Sequence, residues 1–283
     1  MPELPEVEVL ARHLRPLVRG KTIRRIVVRR AKVIRPTSLG EFRRVLAGAR
    51  FISLKRRGKY LLFRLCPATG GRPVTLLGHL GMTGRFYLTQ GGGRYPKHTA
   101  VVLDLGDRKL VYEDTRYFGR LTLSTLPLTR LGPEPLDDRF DASAFAATLD
   151  RSNQAIKVRL LDQTLVAGIG NIYASEALFR ARIHPRLPAG QLSSRQIRRL
   201  WRAIRNVLGE AIQAGSTLPL NFAGGSTPDR LFYFGRAPSH PEAGEERLRV
   251  YDREGDPCSD CGTSIERLVQ GGRSTFYCPH CQR

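Results

Sequence analysis

Apolar residues at Leu4, Val7, Leu10, Ala11, Leu14, Leu17 and Val18 recur at helical spacing. They predict an amphipathic helix from Pro5 to Arg19, ended by Gly20. Pro16 is expected to kink or shorten its last turn. The period then shortens to that of strands. Thr22–Ile34, Arg50–Leu54, Lys59–Leu65, Pro73–Leu77, Gly84–Leu88, His98–Leu105, Lys109–Glu113 and Arg120–Leu123 are short alternating or β-branched runs. Turns such as Ala68-Thr69-Gly70-Gly71 separate them, and a short helix is expected near Glu41–Leu46. So many short strands in one stretch predict an antiparallel sandwich or barrel.

After Leu131-Gly132-Pro133-Glu134-Pro135-Leu136, which reads as a linker, the helical period returns. Ala142–Leu149, Ile156–Leu161 and Ile172–Ala181 are short candidates, and Ser194–Ala214 carries the clearest apolar stripe, from Ile197 to Ile212. Gly, Pro and Ser then dominate a long weakly patterned stretch, about 215–246. The chain is α+β on this reading. It comprises an N-terminal domain over 1–131, a linker over 132–139, a helical domain over 140–250 and a terminal element over 251–283.

Charge narrows the class of partner. Lys and Arg number 47 against 25 Asp and Glu, a net +22. Such an excess suits a polyanion, nucleic acid ahead of a membrane surface, although an Arg-rich proteome gives the same balance. No stretch approaches the apolar length of a membrane span, and the acidic, proline-broken start does not read as a signal peptide. A cytoplasmic, nucleoid-associated location is the expectation.

Four of the five cysteines form Cys258-x2-Cys261 and Cys278-x2-Cys281. Two such knuckles can place four sulfurs around one Zn²⁺, and the alternating segment between them, with Gly271-Gly272 midway, reads as a β-hairpin. Two disulfides are the alternative, disfavoured in a reducing compartment. Four sulfurs close the coordination sphere, so the metal is structural.

Removal of Met1 from Met1-Pro2-Glu3-Leu4-Pro5-Glu6-Val7-Glu8 leaves Pro2 as a secondary amine. An α-amine has a pKa of about 8, so part of it is neutral near pH 7 and able to form an iminium with an aldehyde-like carbon. Glu3, Glu6 and Glu8 supply nearby carboxylates for proton transfer. The same residues also read as an ordinary helix start, and a retained Met1 blocks the chemistry. Lys59 opens a strand and reads as a phosphate ligand or a solvated lysine. Met82, in the turn His79-Leu80-Gly81-Met82, reads as core or as a wedge between bases. Asp114-Thr115-Arg116-Tyr117-Phe118-Gly119 offers a cation and an aromatic at alternate positions, or a plain hairpin turn. Gly168-Ile169-Gly170-Asn171 brings backbone close to a helix N-terminus that favours an anion.

Taken together and in order, Pro2-Glu3-Leu4-Pro5-Glu6-Val7-Glu8, Lys59-Tyr60-Leu61-Leu62, His79–Gly84, Leu131–Leu136, Gly168–Glu176 and the four-cysteine finger resemble the formamidopyrimidine-DNA glycosylase family over nearly the whole chain. The resemblance implies an N-terminal antiparallel β-sandwich with flanking helices, a helix–two-turn–helix domain and a zinc β-hairpin finger. One structural Zn²⁺ is held by Cys258, Cys261, Cys278 and Cys281, with no organic cofactor. It implies a monomer that engages damaged double-stranded DNA, releases oxidised purines such as 8-oxoguanine and formamidopyrimidines, and cuts the strand by β,δ-elimination. Pro2 is then the nucleophile, Glu3 the acid–base and Lys59 a catalytic lysine near phosphate and lesion, with Glu6 and Glu176 supporting the site. His79, Asn171, Tyr251 and Arg273 match phosphate-gripping positions, Lys157 a further DNA-binding position, and Met82, Arg116 and Phe118 the residues that fill the gap left by a flipped nucleotide.

Two departures stand out. Thr115-Arg116-Tyr117-Phe118-Gly119 replaces the family's usual Pro-Arg-Arg-Phe-Gly, and the lesion-capping stretch about 215–246 is long and atypical. An endonuclease VIII-like preference for oxidised pyrimidines, or a non-catalytic damaged-DNA-binding protein, are the alternatives.

Overall fold

The computed structural model describes residues 1–90, 95–214 and 248–283. The chain divides into two compact units. One contains Met1–Pro2 and Glu6–Thr129; the other contains Glu3–Pro5 and, among the described residues, 130–214 and 248–283. The capping stretch read at 215–246 lies entirely outside the described residues.

Helix α1 (Leu4–Val18) turns Val7, Leu10, Ala11, Leu14 and Val18 into the first unit's core, all fully buried. Pro16 does not end it, because Arg19 N still reaches Arg15 O at 3.1 Å. The strands that follow are β1 (Arg25–Val28), β2 (Arg50–Arg57), β3 (Tyr60–Cys66), β4 (Val74–His79), β5 (Gly84–Thr89), β6 (Thr99–Asp104), β7 (Lys109–Asp114) and β8 (Arg120–Thr122). Between β1 and β2 lies α2 (Leu39–Leu46), whose N-terminus is capped by Ser38.

The strands form two four-stranded antiparallel sheets, ordered β1-β6-β7-β5 and β2-β3-β4-β8. Leu54, Leu61 and Phe63 of one sheet and Phe86, Leu103 and Tyr112 of the other share one buried cluster with α1. Phe63 and Phe86 meet across it with ring centroids 5.6 Å apart. This is the expected sandwich.

The expected strand over Thr22–Ile34 is shorter than the β-branched run suggested. Only Arg25–Val28 is strand, and Ala31–Ile34 forms a 3-10 turn. Val33 and Ile34 are adjacent and both buried in the same core. A strand would send neighbours to opposite faces, so only a turn can bury both on one side.

In the second unit Asp141 caps α3 (Ala142–Leu149), accepting from Ala144 N at 2.7 Å. Helices α4 (Ile156–Leu160) and α5 (Asn171–Arg180) follow. Ser193 and Gln196 form a capping box on α6 (Ser194–Gln213). Its apolar stripe, including Leu200, Ile204, Val207 and Leu208, packs on Leu178, Ala174 and Phe145. Trp201 donates its indole N–H to Phe140 O at 2.8 Å, and the Arg205 guanidinium donates to the carbonyls of Pro135 and Asp137.

The terminal hairpin pairs β9 (Glu266–Gln270) with β10 (Arg273–Tyr277) through a two-residue turn. Gly271 and Gly272 both have positive φ, +55° and +71°, which that turn requires and a side chain resists. Among the described residues, no helix is long and apolar enough to cross a membrane.

Candidate active site

Glu3 is 2% exposed, and three backbone amides grip its carboxylate. Gly170 N donates to Oε2 at 2.6 Å, Ile172 N to Oε1 at 2.9 Å and Tyr173 N to Oε2 at 3.4 Å. Leu4 N donates in turn to Gly168 O at 3.0 Å. These amides open α5, where unsatisfied N–H groups and the helix dipole favour negative charge. The anion that the Gly168–Asn171 turn was expected to attract is therefore the chain's own Glu3. The glycines of the turn make room for it. A Cβ on Gly170 would lie 2.4 Å from Glu3 Cδ, and one on Gly168 2.7 Å from Leu4. Gln163 holds the loop from behind, accepting from Gly168 N and donating to Ile169 O.

Next to Glu3 is a polar chain. Lys157 has no exposed surface and donates from Nζ to Asn171 Oδ1 at 2.6 Å. Burial pushes its pKa down to about 8; Glu3 opposes that shift and the Arg273 guanidinium adds to it. Asn171 passes the contact on, donating Nδ2–H to Ser274 O at 2.8 Å on β10. It also bonds the phenol of Tyr251, whose pKa is raised chiefly by burial. Tyr251 is fixed by Glu176, whose buried carboxylate accepts from the consecutive amides of Arg249, Val250 and Tyr251 at 2.9–3.0 Å. Arg273 begins β10, beside the hairpin turn, and is exposed. The structure thus gathers Glu3, Lys157, Asn171, Tyr251 and Arg273 in one neighbourhood of the second unit.

The Sγ atoms of Cys258, Cys261, Cys278 and Cys281 all lie within 4.8 Å of one another. Cys258–Cys281 is 3.9 Å, and Cys261 is 3.5 Å from both Cys278 and Cys281. A tetrahedron with Zn–S near 2.3 Å has edges of about 3.8 Å, so the donor set fits zinc. Backbone N–H groups of Asp260 and Cys281 point at Cys258 Sγ and Cys278 Sγ, each at 3.4 Å, as second-layer donors to thiolates.

The first unit gathers a different set. Lys59 is buried beside His79, whose ring packs on Tyr60 at a tilt of 44° with centroids 4.7 Å apart. Burial, with Lys59 and Arg120 nearby, lowers the His79 pKa to about 4, so the ring is neutral near pH 7. Nδ1 accepts from Gly81 N at 3.1 Å, which leaves the proton on Nε2. Arg116 lies over the Phe118 ring at 4.7 Å and reaches Met82 Sδ at 3.2 Å. Met82 and Phe118 are 42% and 51% exposed, large apolar side chains left in solvent.

Glu6 is buried in this unit. Glu8 is not gathered towards the N-terminal amine. Arg12 and Arg56 hold its carboxylate at 2.8 and 2.9 Å, and their hydrogen bonds and charges overcome the burial that would raise its pKa, leaving it lowered.

Asp114 was not singled out as a site residue. It is fully buried, and its carboxylate accepts from Thr83 Oγ1 at 2.6 Å, Gly119 N at 2.8 Å and Arg116 N at 3.1 Å. It ties the Met82 turn to the Arg116–Phe118 turn. Its place at the head of Asp114–Gly119, where Asx residues bond amides two residues on, was the available signal.

Comparison with known proteins covers the whole length. The formamidopyrimidine-DNA glycosylase N-terminal domain profile matches residues 1–121, the formamidopyrimidine-DNA glycosylase H2TH domain profile 131–220, and the zinc finger found in FPG and IleRS 255–283. The formamidopyrimidine-DNA glycosylase of Thermus thermophilus is 45% identical across 100% of this chain and 98% of its own. The Lactococcus lactis protein in complex with abasic-site DNA aligns with a TM-score of 0.86 at 34% identity, covering 99% of both chains. A MutM structure in complex with carbocyclic 8-oxo-G containing DNA gives 0.86 at 34% identity over 100% of both. Matched by three profiles over most of its length and by relatives and folds from end to end, the chain belongs to the formamidopyrimidine-DNA glycosylase family.

Proposed function

We propose that this chain is a bifunctional DNA glycosylase and abasic-site lyase that removes oxidised purines, 8-oxoguanine and formamidopyrimidines, from duplex DNA in the cytoplasm. The observation that carries the reading is the Glu3 carboxylate. It is buried, gripped by the α5 amides and bonded in sequence to Pro2. A surface helix start needs no such grip.

With Met1 removed, the Pro2 nitrogen attacks C1′ of an extruded nucleotide. The C1′–N bond breaks, and its electron pair leaves with the base, which takes up a proton. Glu3 takes the proton that the Pro2 amine loses once its bond to C1′ has formed and passes it to the ring oxygen as the sugar opens, so that the nitrogen and C1′ become an iminium. Loss of a C2′ proton expels the 3′ phosphate. A second elimination expels the 5′ phosphate, and water releases Pro2. Lys59 assists near lesion and phosphate, with Glu6 in support. Asn171, Tyr251 and Arg273 grip the backbone. His79 does so through a neutral Nε2–H, and so without adding charge. Lys157 serves the grip by holding Asn171, and Glu176 by fixing Tyr251. Met82, Arg116 and Phe118 fill the vacated stack. Zinc supplies no reaction step; its thiolate site shapes the finger that carries Arg273.

Borohydride reduction during reaction with an 8-oxoguanine duplex is expected to trap a covalent adduct that peptide mapping places on Pro2. No adduct from protein lacking Met1, on either lesion or abasic duplex, would overturn the assignment. A second prediction follows from the close approach at Gly170. Gly170→Ala is expected to push the Glu3 carboxyl aside and slow single-turnover excision by roughly a hundredfold, the cost of an ångström-scale misplacement. Circular dichroism is expected to remain that of the parent. An unchanged excision rate would show that the position of Glu3 is unimportant.

A further inference from the structure

Tyr117 stands between Arg116 and Phe118. Tyr117 has φ +52°, a left-handed conformation that bulky side chains rarely adopt. Its own side chain holds it there. The phenol oxygen accepts from Arg30 Nε at 3.1 Å and lies 3.4 Å from His98 Nδ1. The Arg30 guanidinium also lies over the ring, 5.4 Å from its centroid. A phenol can accept from the guanidinium and donate to the imidazole at the same time, so both contacts are compatible. Both partners sit on framework. Arg29 and Arg30 donate their amides to Ala100 O, and His98 O accepts from Asp114 N.

The turn is thereby held at two levels. Asp114 fixes the backbone at Arg116 and Gly119, and the side chain of Tyr117 fixes the backbone between them. Arg116 and Phe118 are exposed, so core packing cannot set their positions; the backbone at Tyr117 must. We propose that Tyr117 is a positioning residue, and that its latch onto Arg30 and His98 holds Arg116 and Phe118 ready to enter the gap left by an extruded nucleotide. The inference rests on the gap-filling reading of Met82, Arg116 and Phe118.

The test uses a duplex carrying a stable tetrahydrofuran abasic analogue with 2-aminopurine at the adjacent position. Insertion of an aromatic ring next to the probe changes its fluorescence, followed by stopped flow. Phe118→Ala is expected to abolish the insertion phase. Tyr117→Phe keeps the ring and its contact with Arg30 but loses the phenol hydrogen bonds of the latch; it is expected to slow that phase by about tenfold, the size of one hydrogen bond to a charged group. Its thermal midpoint and its affinity for undamaged duplex should match the parent's, which a merely structural defect would not allow. Arg30→Gln, at an exposed position, is expected to give the same slowing, and the double variant no more than either single one. Parental insertion in both Tyr117→Phe and Arg30→Gln, with Phe118→Ala defective, would refute the latch and leave gap filling intact. Parental insertion in Phe118→Ala would remove gap filling itself, and the latch with it.

Discussion

Glu3→Gln is expected to lower the rate of 8-oxoguanine excision by roughly a thousandfold, the range of a positioned acid–base group. The change is nearly isosteric but chemically severe. The carboxylate offers acceptors to Gly170, Ile172 and Tyr173, whereas a carboxamide replaces one oxygen with a donor that faces an N–H. Folding should weaken by about 1–3 kcal/mol, the cost of stranding a buried amide. That penalty leaves the protein folded at assay temperature, so the rate loss reports the lost proton transfer. On a preformed abasic site, where the sugar already equilibrates with its open aldehyde, the deficit should be much smaller. Single-turnover assays on the two substrates give the ratio directly. Equal, small losses on both would make Glu3 a helix cap and nothing more.

Removal of zinc is the second large effect. Structural zinc supplies about 10–16 kcal/mol to finger-sized elements, more than a short hairpin can replace by packing. The finger's own core is small: Ile265, Phe276, Cys258 and Cys278 against Phe179 and Val250. Loss of the metal should release β10, and with it the Ser274 carbonyl that orients Asn171 and the base of Arg273. Chelation, or Cys278→Ser, is expected to abolish tight binding to lesion duplex and to expose 255–283 to protease, while α6 remains helical. Titration of released zinc alongside DNA binding checks this. Metal-free protein that binds DNA like the parent would contradict it.

What the sequence disclosed and what it hid follow from distance along the chain. The apolar period of α1, the alternating runs of the sandwich and the paired Cys-x2-Cys knuckles are local patterns, and local patterns are legible. The Thr22–Ile34 run misled because a β-branched run does not say where its strand ends, and Val33 and Ile34 bury on one side, which a strand's alternation does not allow. Glu176 bonds amides more than seventy residues away, and Asp114 joins two turns through Thr83. Neither contact leaves a spacing to read. Lys157 resembles any helical lysine until the fold buries it against Asn171. The grip on Glu3 is the extreme case. A Gly-Ile-Gly turn announces that something comes close, but not that the visitor is the start of the same chain.

That grip has a consequence during biosynthesis. Glu3 emerges from the ribosome long before its partners, 167 residues separating it from Gly170. At 5–20 residues per second the interval is roughly 10–30 s. Throughout it the Glu3 carboxylate lacks the amides that hold it in the folded chain. Once Gly170, Ile172 and Tyr173 are made, the carboxylate is captured and Pro2 beside it lies buried. The grip on Glu3 is therefore complete only once most of the chain has been translated.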